Sequence, residues 1–469
     1  MKFLTSLFLI LSLSLSLYAE KSVMYRLTIS DKGNAPYSVD NPNNFLSQKS
    51  IERRIKQNYR IDETDLPIDP AYFQTIENTG ASIQTYSKWV NTIVVHIPNC
   101  EVRNKIIELP FVSEITKVWE GICHRGRLVS EVESYLPSPD NQNTEQRDYS
   151  KAIHFNPEDY GDAFLQLAIN NAFPLHQSGY RGSGKTIAVL DGGFSNVDRF
   201  PEFFDSERIV GVKNFTHHKT DFYRTSEDHG TSVLSCLLAN NRGKIIGTAP
   251  FADYYLFNTE VVGEEFPIEE DYWIAALEYA DSLGVDIVTS SLGYFLFDDS
   301  SMNHNWDKLD GYSVPASRAA SMAIQKGMLL FHSAGNQGDG KWERITVPGD
   351  AKYSLTVGAI TSDSIRVNFS SWGLTADNRF KPDVMALGTH VCVVNGNGQI
   401  SFAHGTSFST PILAGMTACL WEAFPTLSNY EIIELIKKSS DRYADPDEYR
   451  GYGIPNFLKA FENAKSKVE

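Results

Sequence analysis

Short apolar runs alternate with longer stretches of helical periodicity from about Asp159 to the end of the chain. The runs are three to six residues long, the length expected of strands buried in a sheet. Their alternation with helices predicts an α/β domain: a parallel sheet with helices on both faces. The predicted strands are 186–190, 254–257, 285–290, 328–331 and 355–357, and the predicted helices are 231–238, 269–283 and 316–326.

A separate α+β pattern precedes this sheet, between about residues 23 and 117. Its order of elements resembles a small ferredoxin-like unit. No residues in it combine into a catalytic group, so we interpret it as an accessory or inhibitory module. The predicted strands are 24–29, 89–97 and 112–118, and the predicted helices are 50–56 and 101–109.

Two further segments lack the hydrophobic pattern of a folded domain. Residues 121–158 are mostly polar and aperiodic, which predicts an exposed linker open to proteolysis. At the N-terminus, Lys2 precedes an uncharged run, 3–17, and Ala19 follows it. The run is short for a membrane span and is typical of a secretory signal, with a retained anchor as the alternative.

Composition narrows the range of functions. The 469 residues, 42% of them hydrophobic, suffice for two or three domains with their own cores. A net charge of −16 disfavours nucleic acid or an anionic membrane as the main partner, because both attract basic surfaces. The five cysteines leave at least one unpaired and contain no Cys-x-x-Cys spacing, which argues against a zinc ribbon.

The run from Phe402 to Pro411 joins a strand-like segment to a long apolar helix. Ser407 lies near the first turn of that helix, where unpaired backbone N–H groups could stabilise an oxyanion. Pro411 supports a helix start nearby, since proline is best tolerated there. Gly-Thr-Ser alone would equally suit a helix N-cap.

Three other polar residues follow predicted strands or open a helix. Asp191 follows the strand 186–190, His229 opens the helix that contains 231–238, and Asn336 follows the strand 328–331. Reacting groups gather beyond the carboxyl ends of parallel strands. Asp191, His229 and Ser407 could form an Asp-His-Ser triad, and the Asn336 amide could donate to the oxyanion.

The order Asp, His, Asn, Ser and the surrounding motifs resemble the subtilisin-like serine peptidases. The resemblance covers roughly 159–465, and the preceding stretch resembles the family's signal peptide and propeptide. It implies that Ser291, Leu292 and Gly293 bind the substrate backbone as an added strand, with Ser333, Ala334 and Gly335 beside them at the side-chain pocket. The motifs are Asp191-Gly-Gly, His229-Gly-Thr, Ala-Gly-Asn336, Gly-Thr-Ser407-x-Ser-x-Pro, Ser291-Leu-Gly293 and Lys381-Pro-Asp-Val384.

The resemblance suggests a division of the chain into signal peptide (1–19), propeptide-like inhibitory domain (20–122), linker (123–158) and catalytic domain (159–469). Gly192 and Ser232 depart from the usual family residues at their positions. No ligand cluster for calcium is evident, so we expect no metal and no other cofactor. His404 also lies in a His-Gly-Thr motif and is interpreted as lining the cleft, and His217-His218 as a solvated loop pair.

Two functions from different classes remain. The first is a secreted, self-inhibited serine endopeptidase, periplasmic or extracellular, whose partners are protein or peptide substrates and its own propeptide, with no nucleic acid or membrane partner. The second is a catalytically silent scaffold of the same fold that only binds proteins. The intact set of Asp191, His229 and Ser407 favours the enzyme, because silent relatives usually lose one member.

Overall fold

The structure, a computed structural model, describes residues 21–122, 155–217 and 221–468. The predicted signal peptide and most of the predicted linker lie outside these residues. The described chain forms two units. A small α+β unit ends at Ile122, and a larger α/β unit begins at Phe155.

The small unit is a four-stranded antiparallel sheet in the order β2-β3-β1-β4, which confirms the ferredoxin-like prediction. The prediction missed one helix, α2, and one strand, β2. Thr85 and Ser87 face inward from β2, so the strand lacks a clear apolar alternation. The elements are β1 (Lys21–Ile29), α1 (Gln48–Lys56), α2 (Pro70–Asn78), β2 (Ser82–Ser87), β3 (Thr92–Ile97), α3 (Cys100–Ile107) and β4 (Val112–Ile122).

The larger unit alternates strands and helices as predicted. Each predicted strand and helix is present, within a few residues at its ends, and β6 and β15 extend the sheet. The elements are α4 (Phe164–Ala168), α5 (Phe173–Gln177), β5 (Thr186–Asp191), β6 (Ile209–Asn214), α6 (His229–Leu238), β7 (Asn240–Asn241), β8 (Ile245–Ile246), β9 (Asp253–Asn258), α7 (Ile268–Leu283), β10 (Ile287–Ser290), α8 (Pro315–Gln325), β11 (Leu329–Ser333), β12 (Leu355–Ile360), β13 (Gly373–Leu374), β14 (Phe380–Lys381), β15 (Val384–Leu387), β16 (Val391–Val394), β17 (Ile400–Ala403), α9 (Thr406–Ala423), α10 (Asn429–Ser439) and α11 (Phe457–Val468).

The seven-stranded sheet has the order β15-β12-β11-β10-β5-β9-β6, and each neighbouring pair is parallel. Helices α6 and α9 pack together against it, and α7 and α8 form a second pair. Gly284 ends α7 with a φ of 82°, the left-handed conformation that glycine adopts without strain. The central strands β5, β10 and β11 are completely buried, so the site at their ends rests on a rigid support.

The two units share one hydrophobic core and a set of buried ion pairs on α7. Met24 and Trp119 of the small unit belong to the same apolar cluster as the large sheet. Arg26 donates to Asp271 (2.6 Å), and Arg54 of α1 lies between Asp281 (2.9 Å) and its own unit's Asp65. Buried charges require such partners. The acidic side chains of α7 therefore form the surface on which the small unit packs.

Candidate active site

The sheet brings three of the predicted site segments to one edge. Strands β5, β10 and β11 are neighbours and run in parallel, so their carboxyl ends lie side by side. Asp191 ends β5, Ser291 follows β10, and Ser333 ends β11. The first turn of α9, which carries Ser407, packs against the same edge through the hydrogen bonds described below.

Asp191 and His229 are joined directly. Asp191 is fully buried, and its Oδ1 lies 2.7 Å from His229 Nδ1 and accepts a second hydrogen bond from the backbone of Gly192 (2.8 Å). Within the described chain, Asp191 Oδ2 has no hydrogen-bond partner. At Gly230, a Cβ atom would collide with the Gly193 carbonyl, and this close approach keeps the start of α6 against the end of β5.

The pKa of His229 is raised. Burial by itself lowers it, but the charge of Asp191, the hydrogen bond to that carboxylate and the charges of Asp228 and Glu227 together outweigh the effect of burial. About a third of the imidazole side chain is exposed, and its ring lies 5.8 Å from the ring of Phe408, the residue after Ser407. His229 is therefore a base whose cationic form is stabilised by Asp191 and whose other side faces the start of α9.

Ser407 is the second residue of α9, as the sequence predicts. Gly405 precedes the helix with a φ of 147°, a conformation that a side chain would disfavour. Pro411 lies inside the helix and has no N–H to donate to the Ser407 carbonyl four residues earlier. The Ser291 hydroxyl donates to that carbonyl instead (2.7 Å), and the Ser407 hydroxyl donates to the Ser291 carbonyl (3.4 Å). This reciprocal pair fixes Ser407 beside the end of β10.

The Asn336 amide is oriented by Thr406. Its Oδ1 accepts hydrogen bonds from the backbone N–H (2.9 Å) and the hydroxyl (3.0 Å) of Thr406. Thr406 Oγ1 also accepts from the backbone of Gly335 (3.2 Å). Asn336 also lines the recess described next, and with Oδ1 held in this way its Nδ2 group is the part of the amide left to donate a hydrogen bond.

A recess of about 120 Å³ lies beside Ser407 and Asn336, and neither Asp191 nor His229 is among its lining residues. The Ser333 hydroxyl donates to the Leu292 carbonyl (2.9 Å) across it. Ala334 is completely buried, and its N–H donates to the strand β12 at Val357. The lining residues are Ser291, Leu292, Gly293, Phe295, Ser333, Gly335, Asn336, Gln337, Thr346, Thr406 and Ser407. Five of the six predicted substrate-binding residues therefore line the recess, and Ala334 lies behind it.

Sequence reasoning missed Thr406 and Glu260. Thr406 belongs to the Gly-Thr-Ser motif, and its position directly before the serine is a signal from which a role at the site could have been predicted. Glu260 accepts a hydrogen bond from Tyr294 Oη (2.7 Å) and packs against Gly192, a contact that no local pattern indicates. His404, interpreted as lining the cleft, is exposed and packs against His390 at 4.7 Å between ring centroids.

His217, interpreted as solvated, accepts or donates a hydrogen bond with Tyr272 Oη (2.8 Å) and contacts Trp119 of the small unit. His218 lies outside the described residues. The four described cysteines are free thiols. Among the described residues, no group of three His, Cys, Asp or Glu side chains could hold a metal ion.

An Asp-His pair, a serine at a helix start and an oriented amide, all at the carboxyl edge of a parallel sheet, are typical of serine hydrolases. The subtilase family model, peptidase S8, matches residues 182–454, and a model of the peptidase S8 propeptide domain of Bacteroidota matches residues 24–127. The chain belongs to the subtilase family. It is a serine-type endopeptidase made as a precursor with a propeptide domain.

Individual relatives resemble this chain over more than half of its length. Subtilisin E of Bacillus subtilis (strain 168) is 27% identical over 288 residues, which cover 61% of this chain and 68% of the relative. The serine protease AprX of the same strain is 28% identical over 295 residues, 57% and 63% of the two chains. The crystal structure of MycP1 from the ESX-1 type VII secretion system matches with a TM-score of 0.50 at 19% identity, over 68% of this chain and 90% of that one. This last likeness concerns the fold alone.

Proposed function

We propose that Asp191, His229 and Ser407 are the catalytic triad of a secreted endopeptidase, with Asn336 as the side-chain donor of its oxyanion hole. The observation that carries the proposal is the 2.7 Å contact between Asp191 Oδ1 and His229 Nδ1. It gives a partly exposed imidazole the buried carboxylate partner that a general base requires. A silent scaffold would have no use for this buried pair.

In the proposed reaction, Ser407 attacks the scissile carbonyl. The Ser407 hydroxyl first turns from the Ser291 carbonyl towards His229, whose Nε2 accepts its proton. Asp191 keeps the His229 Nδ1 proton in place and stabilises the imidazolium, which then gives the Nε2 proton to the leaving amine as the peptide C–N bond breaks. Water, deprotonated by His229, hydrolyses the resulting Ser407 ester and releases the acid and the serine. The oxyanion receives hydrogen bonds from Asn336 Nδ2 and from the Ser407 backbone N–H, which the first turn of α9 leaves without an intrahelical acceptor.

The substrate backbone would lie along Ser291, Leu292 and Gly293 as an added strand. The hydrogen bond from Ser333 to the Leu292 carbonyl supports this position by fixing the segment after β10. Ser333 and Gly335 also line the recess, and Ala334 between them in the chain is buried.

The precursor organisation extends the proposal to export and activation. We place the signal peptide at 1–19, the inhibitory domain at 20–122 and the processed linker at 123–158. No helix in the described ranges is long and apolar enough to cross a membrane. The short uncharged N-terminal run supports secretion.

The test of the triad is covalent labelling. Purified chain, allowed to process itself, is treated with a fluorophosphonate and digested for mass spectrometry, and peptide hydrolysis is measured in parallel. We expect the label on Ser407 and neither label nor hydrolysis in Ser407→Ala. Label on another serine, or more than a few per cent of activity in that variant, would overturn the assignment.

The oxyanion donor is tested separately. We predict that Asn336→Ala lowers kcat by roughly two to three orders of magnitude, the range known for this change in a subtilisin, with KM little changed because the donor serves the transition state. Steady-state kinetics on a peptide substrate checks this prediction. A loss carried by KM alone would place Asn336 in ground-state binding.

A further inference from the structure

Two histidines face each other at the open end of the β16–β17 hairpin, away from its turn. The two strands pair Val391 with Ala403, and one position further along, His390 lies opposite His404. Their ring centroids are 4.7 Å apart, and the ring planes are inclined at 77°. Both side chains are exposed. An imidazole pair that solvent can reach therefore lies a few residues before Ser407.

The backbone fixes the positions from which the two rings project. Beyond the pair, the Gly405 N–H donates to the Gly388 carbonyl (2.9 Å), and the Gly388 N–H donates to the Ile360 carbonyl at the end of β12 (2.9 Å). Both segments are thus attached to the seven-stranded sheet. The two histidines are therefore held opposite each other by the fold and do not depend on a ligand to bring them together.

His390 has an unusual backbone conformation. Its φ is 50°, in the left-handed region that residues with a side chain rarely adopt. Residues held in this region are concentrated at functional sites. Within the described part of the chain, neither His390 nor His404 makes a hydrogen bond or an ion pair through its ring. The ring nitrogens of both residues are therefore available to a ligand.

The separation of the rings suits a shared metal ion. Imidazole nitrogen binds copper, nickel and zinc. With metal–nitrogen bonds of about 2.0–2.1 Å directed along each ring, centroids 4.7 Å apart correspond to an angle of about 90–95° at the ion. A right angle is that of neighbouring ligands in the tetragonal complexes of Cu²⁺ and Ni²⁺, whereas tetrahedral Zn²⁺ requires a wider one. Exposed rings can rotate to direct a nitrogen at such an ion.

We propose that His390 and His404 bind one divalent ion of tetragonal geometry, Cu²⁺ or Ni²⁺, with water in its remaining positions. The two imidazoles suffice as protein ligands, and the net charge of −16 favours the approach of a cation. The ion can hold both rings only while the two segments stay paired. Bound metal therefore stabilises this end of the hairpin.

The stabilised segment leads directly to the proposed nucleophile. Gly405 follows His404, and a Cβ atom placed on it would lie 3.4 Å from Asn336 Nδ2. Local opening of this backbone would therefore displace the surroundings of Asn336 and the start of α9. An ion on the histidine pair raises the cost of that opening. Metal binding itself goes beyond the proposed function, because it does not require Ser407 to be a nucleophile.

A binding experiment on the uncut Ser407→Ala chain tests the site without catalysis. Exposed thiols are alkylated, Cu²⁺ is titrated, and pulsed electron paramagnetic resonance counts the imidazoles on the ion. We expect one ion with two imidazoles. His390→Ala or His404→Ala should weaken binding at least about tenfold, because the second imidazole of a chelate binds intramolecularly. His96→Ala, which removes a half-buried histidine of β3, is the control and should change nothing.

The variant that lacks both histidines distinguishes a shared site from two independent ones. In a chelate, the loss of either ring removes the site, so the double variant should bind no more weakly than each single variant. Losses that multiply in the double variant, or a signal from only one imidazole, would overturn the proposal. An equal loss in His96→Ala would do the same, since the binding would then be unspecific.

The effect on the backbone is measured with Ni²⁺, which does not oxidise thiols. Hydrogen exchange of peptides that span 388–407 should slow at least about threefold in Ser407→Ala with saturating Ni²⁺, and the strand 92–97 should not respond. In the self-processed protein, Ni²⁺ should lengthen the half-life of heat inactivation at least about twofold. Neither change should occur with His404→Ala.

The outcomes separate the two proposals. If Ni²⁺ binds but leaves exchange and half-life unchanged, the ion does not stabilise the hairpin and that part of the inference is wrong. If the self-processed protein cleaves no peptide, the proposed function fails. The copper titration and the hydrogen exchange then still decide whether His390 and His404 hold a metal ion.

Discussion

Two opposing effects act on the pKa of His229. Burial lowers the pKa of its imidazole, whereas the carboxylate of Asp191 at 2.7 Å and the charges of Asp228 and Glu227 together raise it by more. A general base must be neutral to accept a proton, so a raised pKa shifts the working range towards higher pH. The same contact that orients the ring therefore also sets the pH at which it functions.

We predict that kcat/KM rises with pH through a pKa above 6.5, the ordinary value for histidine. Below that pKa, His229 is protonated and the enzyme is inactive. In Asp191→Asn the stabilising charge is lost, so the acid limb should move to lower pH, while the maximal rate falls by about four orders of magnitude, as in another Ser-His-Asp peptidase. A pH–rate profile of both proteins checks the direction. An unshifted limb in the variant would show that another group controls it.

The two His-Gly-Thr histidines provide a matched pair of substitutions. We predict that His229→Ala is nearly inactive and that His404→Ala retains close to wild-type turnover, because His404 is exposed and contacts His390 rather than the recess. One assay of peptide hydrolysis on both proteins suffices. The opposite result would exchange their roles and refute the triad.

At the scale of elements, helix α1 and helix α7 are joined by charge rather than by apolar contact. Arg53 and Arg54 both bind Asp281, and Arg53 also donates to the Val285 carbonyl after the end of α7. Burial raises the pKa of Asp281, but the two guanidinium groups outweigh burial and lower it to about 2. A buried pair of this kind costs little while intact and a great deal when one partner is removed.

We predict that Arg54→Ala lowers the free energy of unfolding of the uncut chain by about 3–5 kcal/mol, because it leaves Asp281 and Asp65 buried with fewer partners. Urea unfolding in a Ser407→Ala background measures the loss. Lys105→Ala, which breaks an exposed ion pair with Glu101, is the control and should change the unfolding midpoint little. Equal effects would mean that the α1–α7 contact does not carry stability.

The ion pairs between α1 and α7 should stabilise the folded chain more at neutral pH than in acid. A carboxyl whose pKa is lowered in the folded state stabilises the fold above its unfolded pKa, which is about 3.9 for aspartate. The contribution of Asp281 should therefore be complete near neutral pH and disappear as the pH falls from about 4 to about 2. In Arg54→Ala, the free energy of unfolding should already be lower at neutral pH, before any acid is added.

At the scale of the whole molecule, the small unit contacts the catalytic unit along the length of α7 and beyond its end. Its sheet covers α7 and the segment that precedes this helix, through Arg26, Ser87 and Trp119. Its helix α1 reaches the opposite end of α7, and Gln57 donates to the Gly327 carbonyl before β11 (2.8 Å). The extent of these contacts and the shared core favour a small unit that stays bound until it is removed.

We predict that Ser407→Ala accumulates as the uncut precursor, whereas wild-type chain is cleaved within the linker. The isolated segment 21–122, added to processed enzyme, should inhibit it at micromolar concentration. Mass spectrometry of the N-terminus and a peptide assay with added segment test the two outcomes. Full activity with the segment still attached would make it a permanent accessory domain instead.

The sequence alone determined the fold class and the candidate chemistry. The period of apolar residues is a local property, so strands such as 186–190 and the ferredoxin-like order could be predicted. The strand β2 was missed because Thr85 and Ser87 face inward, and Ser87 does so to bind Glu278 on α7. Asp191, His229, Asn336 and Ser407 could be selected because each sits in a short motif whose chemistry is specific.

Only the tertiary structure decided how these groups are held and what surrounds them. The hydroxyl of Ser291 replaces the donor that Pro411 lacks, and Thr406 orients Asn336. Trp119 meets Glu264 across 145 positions of sequence. Such contacts depend on which strand ends and loops the packing brings together, and no periodicity or motif records that. The sequence selects the candidate reacting groups, and the three-dimensional packing sets their orientation and the pKa of His229.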